Sequence, residues 1–234
     1  MAGTQSAPVR GWPATAAELV AVQEALAAAN PEPWRLESGP RAVGGVFVCF
    51  ARGGPGPGAA GDPGWAAAAV LGAHAAPCIA VVRGAAPAPY LPGLLALREG
   101  ALLEAAVQRL AARPDVLLVN ATGRDHPRRA GLALHLGAVL DLPTVGVTAR
   151  PLLATGTLPA DAPGATSPLG IDGETVACWL RLRRGVAPLV VHPGWRTDLA
   201  AAVAVVVAAA GRARTPEPLR QARRAAREAR AAGR

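Results

Sequence analysis

"VLLVNATGRDHPRRAGLALHLG", Val116 to Gly137, decides the fold. Four apolar residues, Val116 to Val119, run into Asn120. The chain then breaks into a loop carrying Gly123, Asp125, His126, Arg128 and Arg129 before helical spacing resumes at Ala130. A short continuous apolar run bounded by turn residues reads as a strand buried on both faces, and the run to Leu140 after it reads as a helix. A polar residue delivered by a buried strand to a basic loop suits phosphate handling, because the guanidinium fork matches phosphate oxygens. The same loop can equally be a plain helix start, with Asp125 capping and the arginines solvated. Spacing alone leaves the two readings level.

Working outward, "APYLPGLLALREGALLEAAVQRLAA" precedes this strand. Its Pro-rich start cannot be helical, and a helix is predicted from about Leu94 to Ala112. "LPTVGVTAR" follows as another buried strand. Strand, helix, strand, helix, strand is the pattern of a parallel layer with crossover helices. Upstream, "RAVGGVFVCFARGG" is a strand stopped by Gly53 and Gly54, with Phe47 and Cys49 on one face. "GWAAAAVLGA" and "PCIAVVRGA" continue a meander, and "GWPATAAELVAVQEALAAAN" begins as a helix near Pro13 or Thr15 with Leu19, Val22 and Leu26 on one face. Downstream, "TGTLPADAPGATSPLGIDG" reads as a long loop or hairpin tip, "ETVACWLRLRRG" and "APLVVHPGW" as strands, and "RTDLAAAVAVVVAAAG" as a buried helix. The fold class is α/β, one mixed sheet flanked by helices on both faces. Residues 1–215 form the domain, and 216–234 an Arg-rich terminal helix or frayed tail.

The 234 residues are 51% hydrophobic and 17% charged, which excludes a disordered chain. The net charge is +8 and all 24 basic residues are Arg. That balance favours a polyanionic partner, nucleic acid first; GC-rich coding pressure would also accumulate Arg. Cys49, Cys78 and Cys178 are far apart and odd in number, against a disulfide framework or a metal-ligand spacing. No basic-then-apolar leader is visible and the apolar run 199–210 is too short to span a bilayer, so a cytoplasmic protein with no membrane partner is expected.

Read singly, several motifs favour a bland reading. Tyr90 on its Pro-bounded loop with Glu99 on the following helix could be a wedge and an acid, or a structural loop and a solvated Glu. Thr148 and Arg150 end a plain core strand, and Asp198 suits a helix N-cap. Read in order, however, "GWPATAAELVAVQEAL", "VGGVFVCF", "PYLPGLLALRE", "VLLVNATGRDHPRRAGLALHLG", "LPTVGVTAR" and "HPGWRTDL" resemble the endonuclease V family, repair nucleases acting at deaminated adenine. The resemblance implies a ribonuclease H-like fold with a mixed five-stranded core sheet. It also implies Mg²⁺-dependent hydrolysis of a phosphodiester one nucleotide 3′ to inosine, in DNA and, for some members, RNA, by a protein expected to be monomeric.

Carried across residue by residue, the family's three acids fall at Phe47, Glu99 and Asn120, so only Glu99 is an acid here. The resemblance gives Glu99 and His126 catalytic roles, with Glu99 and Asn120 as metal positions. Its wedge falls at Tyr90. Nucleic-acid contacts fall at Gly93, Leu94, Ala121, Arg128, Arg129, Gly131, Leu132 and Arg150. The family Lys falls at Ala149, a late His at Trp195 followed by Arg196, and a possible further acid at Ala200. Asp125 and Asp198 are the candidate substitutes for the lost acids. Binding of nucleic acid with impaired cleavage is therefore expected. A working enzyme with a rearranged metal site and a remnant without a nucleic-acid role are the alternatives.

Overall fold

The computed structural model describes residues 11–35, 42–51, 56–72, 77–233. Strands β1 (Ala42–Phe50), β2 (Pro63–Gly72) and β3 (Cys78–Ala85) form the meander; α2 (Leu95–Gln108), β4 (Val116–Val119), α3 (Leu132–Leu140) and β5 (Thr144–Thr148) form the crossover layer. Helix α1 (Ala16–Ala28) precedes them. Strands β6 (Thr166–Ile171), β7 (Glu174–Leu180) and β8 (Leu189–Pro193) and helices α4 (Leu199–Ala208) and α5 (Glu217–Ala231) follow. One eight-stranded sheet runs β3-β2-β1-β4-β5-β8-β7-β6. The resemblance implied five core strands; those are β3-β2-β1-β4-β5, and an antiparallel β8-β7-β6 unit extends them. β1, β4 and β5 are mutually parallel.

Strand β4 has the predicted bounds and all four residues are buried. Leu117 and Val119 join the core under α2 and α3, while Val116 and Leu118 join the core under α4. Burial on both faces explains why the strand shows no alternation; each fully buried leucine adds roughly 1.5–3 kcal/mol. β1 splits the same way. Val46 and Val48 face α2, whereas Phe47 and Cys49 face Ala225, Ala226 and Ala229 of α5.

Residues 217–231, expected as a terminal helix or frayed tail, are docked on the sheet through Leu219, Ala222 and Ala226. A Cβ on Gly45 would overlap the Pro218 and Leu219 backbone, so the glycine permits the close approach of α5 to β1. Two further expectations differ. β6 lies within the stretch read as loop or hairpin tip; Pro168 and Gly170 mask its strand character at the sheet edge. Helix α4, expected to be buried, covers only Ala202, Val205 and Val206, and Val207 is exposed. Thr15 is the N-cap of α1 in a reciprocal capping box with Glu18.

Candidate functional site

The register of β1 against β4 places the site. Val46 pairs with Val119 in parallel, so the next residues along, Phe47 and Asn120, stand side by side as β4 ends. Helix α2 brings Glu99 and the loop before it brings Tyr90. Phe47, Tyr90, Glu99 and Asn120 line one cavity of about 220 Å³, with Val46, Val48, Leu95, Leu103 and Val119 as its apolar wall. Four residues from three distant segments thus converge. Glu99 is partly exposed to this cavity, and among the described residues its carboxylate has no hydrogen bond or ion pair. Burial pushes its pKa up to about 7, against the opposing charge of Arg98.

Phe47 offers no lone pair. Asn120 offers one carbonyl oxygen, and that oxygen accepts a hydrogen bond from Arg223 Nη2 of α5 at 3.2 Å. The Arg223 guanidinium carbon also lies 5.1 Å from the Phe47 ring centre and that of Arg227 5.9 Å away. Among the described residues no group of three or more His, Cys, Asp or Glu side chains is placed to hold a metal ion.

The two candidate substitutes stand elsewhere. Asp125 is fully buried, and its two oxygens accept the backbone N–H groups of Leu152, Leu153 and Ala154 at 2.6–2.8 Å. It anchors the loop after β5. Asp198 caps α4 by accepting from Ala201 N at 2.7 Å, and it lines a separate cavity with Arg124, Trp195 and Arg196.

His126 is buried and does not line the Glu99 cavity. Its Nδ1 accepts from Arg128 N, which leaves Nε2 to donate to the Gly93 carbonyl at 3.1 Å. Burial brings its pKa down to about 4, outweighing that carbonyl bond. The same carbonyl accepts from Arg128 Nη2 at 2.9 Å and Gln23 Nε2 at 3.1 Å, and Arg128 Nε donates to Gln23 Oε1 at 2.6 Å. Gly93 itself has φ +74°, a left-handed backbone that glycine adopts without strain. This clamp ties α1, the Tyr90 loop and the Arg128 loop into one unit. Sequence reading did not single out Gln23; its only signal is a polar residue four after Leu19, on the face that α1 buries.

The remaining positions divide by exposure. Tyr90 and Arg150 are exposed, and Leu94 begins α2 half-buried. Arg129, with φ +54°, reaches the Ile171 carbonyl and Asp172 at the β6–β7 turn. Ala121, Gly131 and Leu132 are buried beneath the loop. Ala149 and Ala200 are exposed, and Trp195 is core, packed with Leu26 and Leu134. Arg196 holds the Glu32 carbonyl. Sequence reading also missed Arg223. The signal available was a pair of arginines four apart on a helix with no acid at matching spacing.

The family model for endonuclease V matches residues 30–224. This chain belongs to the endonuclease V family. The Rhodospirillum centenum endonuclease V is 45% identical over 60% of this chain and 59% of its own length. That match spans less than two thirds of the relative, whereas the Nocardia farcinica endonuclease V is 39% identical over 93% of each chain. Among solved structures, the Streptomyces avermitilis endonuclease V superposes with a TM-score of 0.84 and 35% identity, over 95% of this chain and 96% of that one. A Ciona intestinalis endonuclease V, in complex with a 24mer DNA containing an inosine followed by a ribo-adenosine, shares the fold at TM-score 0.75 and 21% identity, covering 93% of this chain and 98% of that chain. Among the described residues no helix is long and apolar enough to cross a membrane.

Proposed function

We propose that this protein binds nucleic acid at deaminated, inosine-bearing sites as a cytoplasmic monomer, with Mg²⁺-dependent phosphodiester cleavage weak or absent. One observation carries the reading: where β4 ends beside β1, the cavity is lined by Phe47 and by a neutral amide already engaged by Arg223. Mg²⁺ demands near-octahedral oxygen ligands, usually with carboxylates among them. Among the described residues Glu99 is the only carboxylate lining the cavity. Phe47 supplies no ligand, and Asn120 already serves a cation. These residues do not fit a magnesium ion. In phosphodiester hydrolysis the metal activates water and neutralises charge on the phosphate, and a loss of ~1.4 kcal/mol of transition-state stabilisation is tenfold in rate.

The binding surface fares better. Tyr90 is exposed at the cavity mouth, its backbone N–H fixed to the Gly58 carbonyl, and the Gly93 clamp holds its loop. The inosine-containing DNA bound by the Ciona relative supports the choice of ligand. The alternative of a rearranged metal site needs Asp125 or Asp198 in this cavity, and neither lines it. A remnant without a nucleic-acid role predicts no binding at all.

Incubation of the purified chain with an inosine-containing duplex, with Mg²⁺ or Mn²⁺, tests the proposal. Salt-sensitive binding without cleavage is expected. Robust cleavage 3′ to inosine, abolished by Glu99→Gln, would overturn it.

A further inference from the structure

Helix α5 carries five arginines, and they are not alike. Arg220 pairs with Glu217 and Arg224 with Glu228 along the helix, and Arg230 reaches the Phe50 carbonyl. Arg223 and Arg227, four apart and therefore on one face, form no ion pair among the described residues. They turn instead to the Phe47 ring and, for Arg223, to the Asn120 side-chain oxygen, and both Phe47 and Asn120 line the cavity. Arg223 Nε is buried without a hydrogen-bond partner among the described residues. Burial and the adjacent Arg227 charge both pull the Arg223 pKa below its ordinary value. Two adjacent cations with an unused donor and no compensating acid lack an anion.

We propose that Arg223 and Arg227 form a fixed guanidinium site that binds a backbone phosphate of nucleic acid at this cleft without any divalent metal. The inference rests on the nucleic-acid-binding reading above. Phe47 and Asn120 fit it chemically. A neutral amide oxygen orients one guanidinium N–H, and the ring face favours a cation beside it. Aspartates there would instead pair with the arginines and repel phosphate. Arg223 presents a planar fork suited to two phosphate oxygens, and Arg227, exposed on the next turn, adds charge.

The test is fluorescence anisotropy with the full chain and a labelled inosine-containing duplex in EDTA, repeated across a salt series. Wild type is expected to bind in EDTA as tightly as in Mg²⁺. Arg223→Ala and Arg227→Ala should each weaken binding about fivefold to tenfold and lower the salt slope by about one. Arg223→Lys should keep the slope but lose affinity. Arg224→Ala, which removes a cation already paired to Glu228, should change affinity less than about twofold. Thermal melting checks folding; if Arg223→Ala unfolds, Arg227→Ala decides, because that side chain is exposed. Wild-type affinity and slope in Arg227→Ala and Arg223→Ala would overturn the guanidinium site while leaving the binding function intact. Tighter binding by Arg223→Ala would overturn it too, marking the arginine as a plug. Absence of binding by wild type would sink the functional reading and this inference together.

Discussion

The Gly93 clamp and the strand-end cleft, both next to Tyr90, solve opposite problems. At the clamp three donors, from Gln23, His126 and Arg128, converge on one backbone carbonyl, and each is itself held by the others. These polar groups bond to one another inside the protein. At the cleft the polar inventory is thinned to Glu99 and one amide, beside a pair of arginines that pair with no acid among the described residues. The clamp is built to hold shape, and the cleft is left with binding capacity to spare. Substitutions should therefore cost stability at the clamp and its loop, and change ligand or metal binding at the cleft.

The largest effect is expected at Asp125. Asp125→Ala strips three backbone N–H groups of their charged acceptor and leaves that of Ala154 buried, a loss of about 4 kcal/mol. Chemical denaturation should show the drop. Asp125→Asn retains acceptor oxygen and should recover part of it. Normal stability in Asp125→Ala would mean that the loop finds water instead and that the clamp region is not the rigid partner in this contrast.

Next in size is restoration of the cleft. Phe47→Asp with Asn120→Asp rebuilds anionic oxygens beside Glu99, but Arg223 lies within reach of both positions and would pair with them. Adding Arg223→Ala should release the carboxylates. Calorimetry with Mn²⁺ should then show binding that wild type lacks. Cleavage of an inosine duplex should rise about a hundredfold, equivalent to about 2.7 kcal/mol of transition-state stabilisation. A double variant as active as the triple would show that Arg223 does not compete with a cation there.

How far this contrast was visible beforehand depends on the kind of residue. β4 was legible to its ends because four buried aliphatics stop at a polar residue and a glycine loop. The cleft was not legible from spacing: Phe47, Tyr90, Glu99 and Asn120 lie far apart in the chain, and each alone reads more simply as structure. Only the ordered likeness to a family brought them together, and the β1–β4 register then set them side by side. The docking of helix α5, itself expected as a terminal helix, was obscured by its composition. Its buried stripe is Leu219, Ala222 and Ala226, and small alanines against Gly45 give little hydrophobic signal beneath five arginines. Asp125 read as a cap or a metal ligand because nothing local shows that its partners lie at 152–154.

Acid should break the clamp side before the cleft side. Burial lowers the pKa of His126 and of His135 to about 4, and lowers that of His192 as well. The unfolded chain takes up these protons near pH 6.5 and the folded chain only near 4. Stability is therefore whole above about pH 6.5 and declines as pH falls towards 4, by up to about 3 kcal/mol per histidine. His135 makes the cleaner probe. Among the described residues neither of its ring nitrogens has a hydrogen-bond partner, and its ring meets that of Trp12 at 4.6 Å. His135→Phe should flatten the acid limb of a melting-temperature profile and change little at pH 8. An unchanged limb would place the acid sensitivity elsewhere.

The smallest effect sharpens the contrast within one helix. Arg224 and Glu228 pair at 2.7 Å on the exposed face of α5, both side chains largely in solvent. Water screens such a pair, so Arg224→Ala should cost no more than about 0.5 kcal/mol. Arg223, one residue earlier, faces Asn120 and the Phe47 ring. Its removal should leave stability close to that of Arg224→Ala while altering affinity for nucleic acid, because its hydrogen bond to an exposed amide is weak support for the fold. Equal effects of the two substitutions on both stability and affinity would mean that the charge of α5 acts as a diffuse field. Unequal affinity at equal stability is what a site on one face of the helix requires.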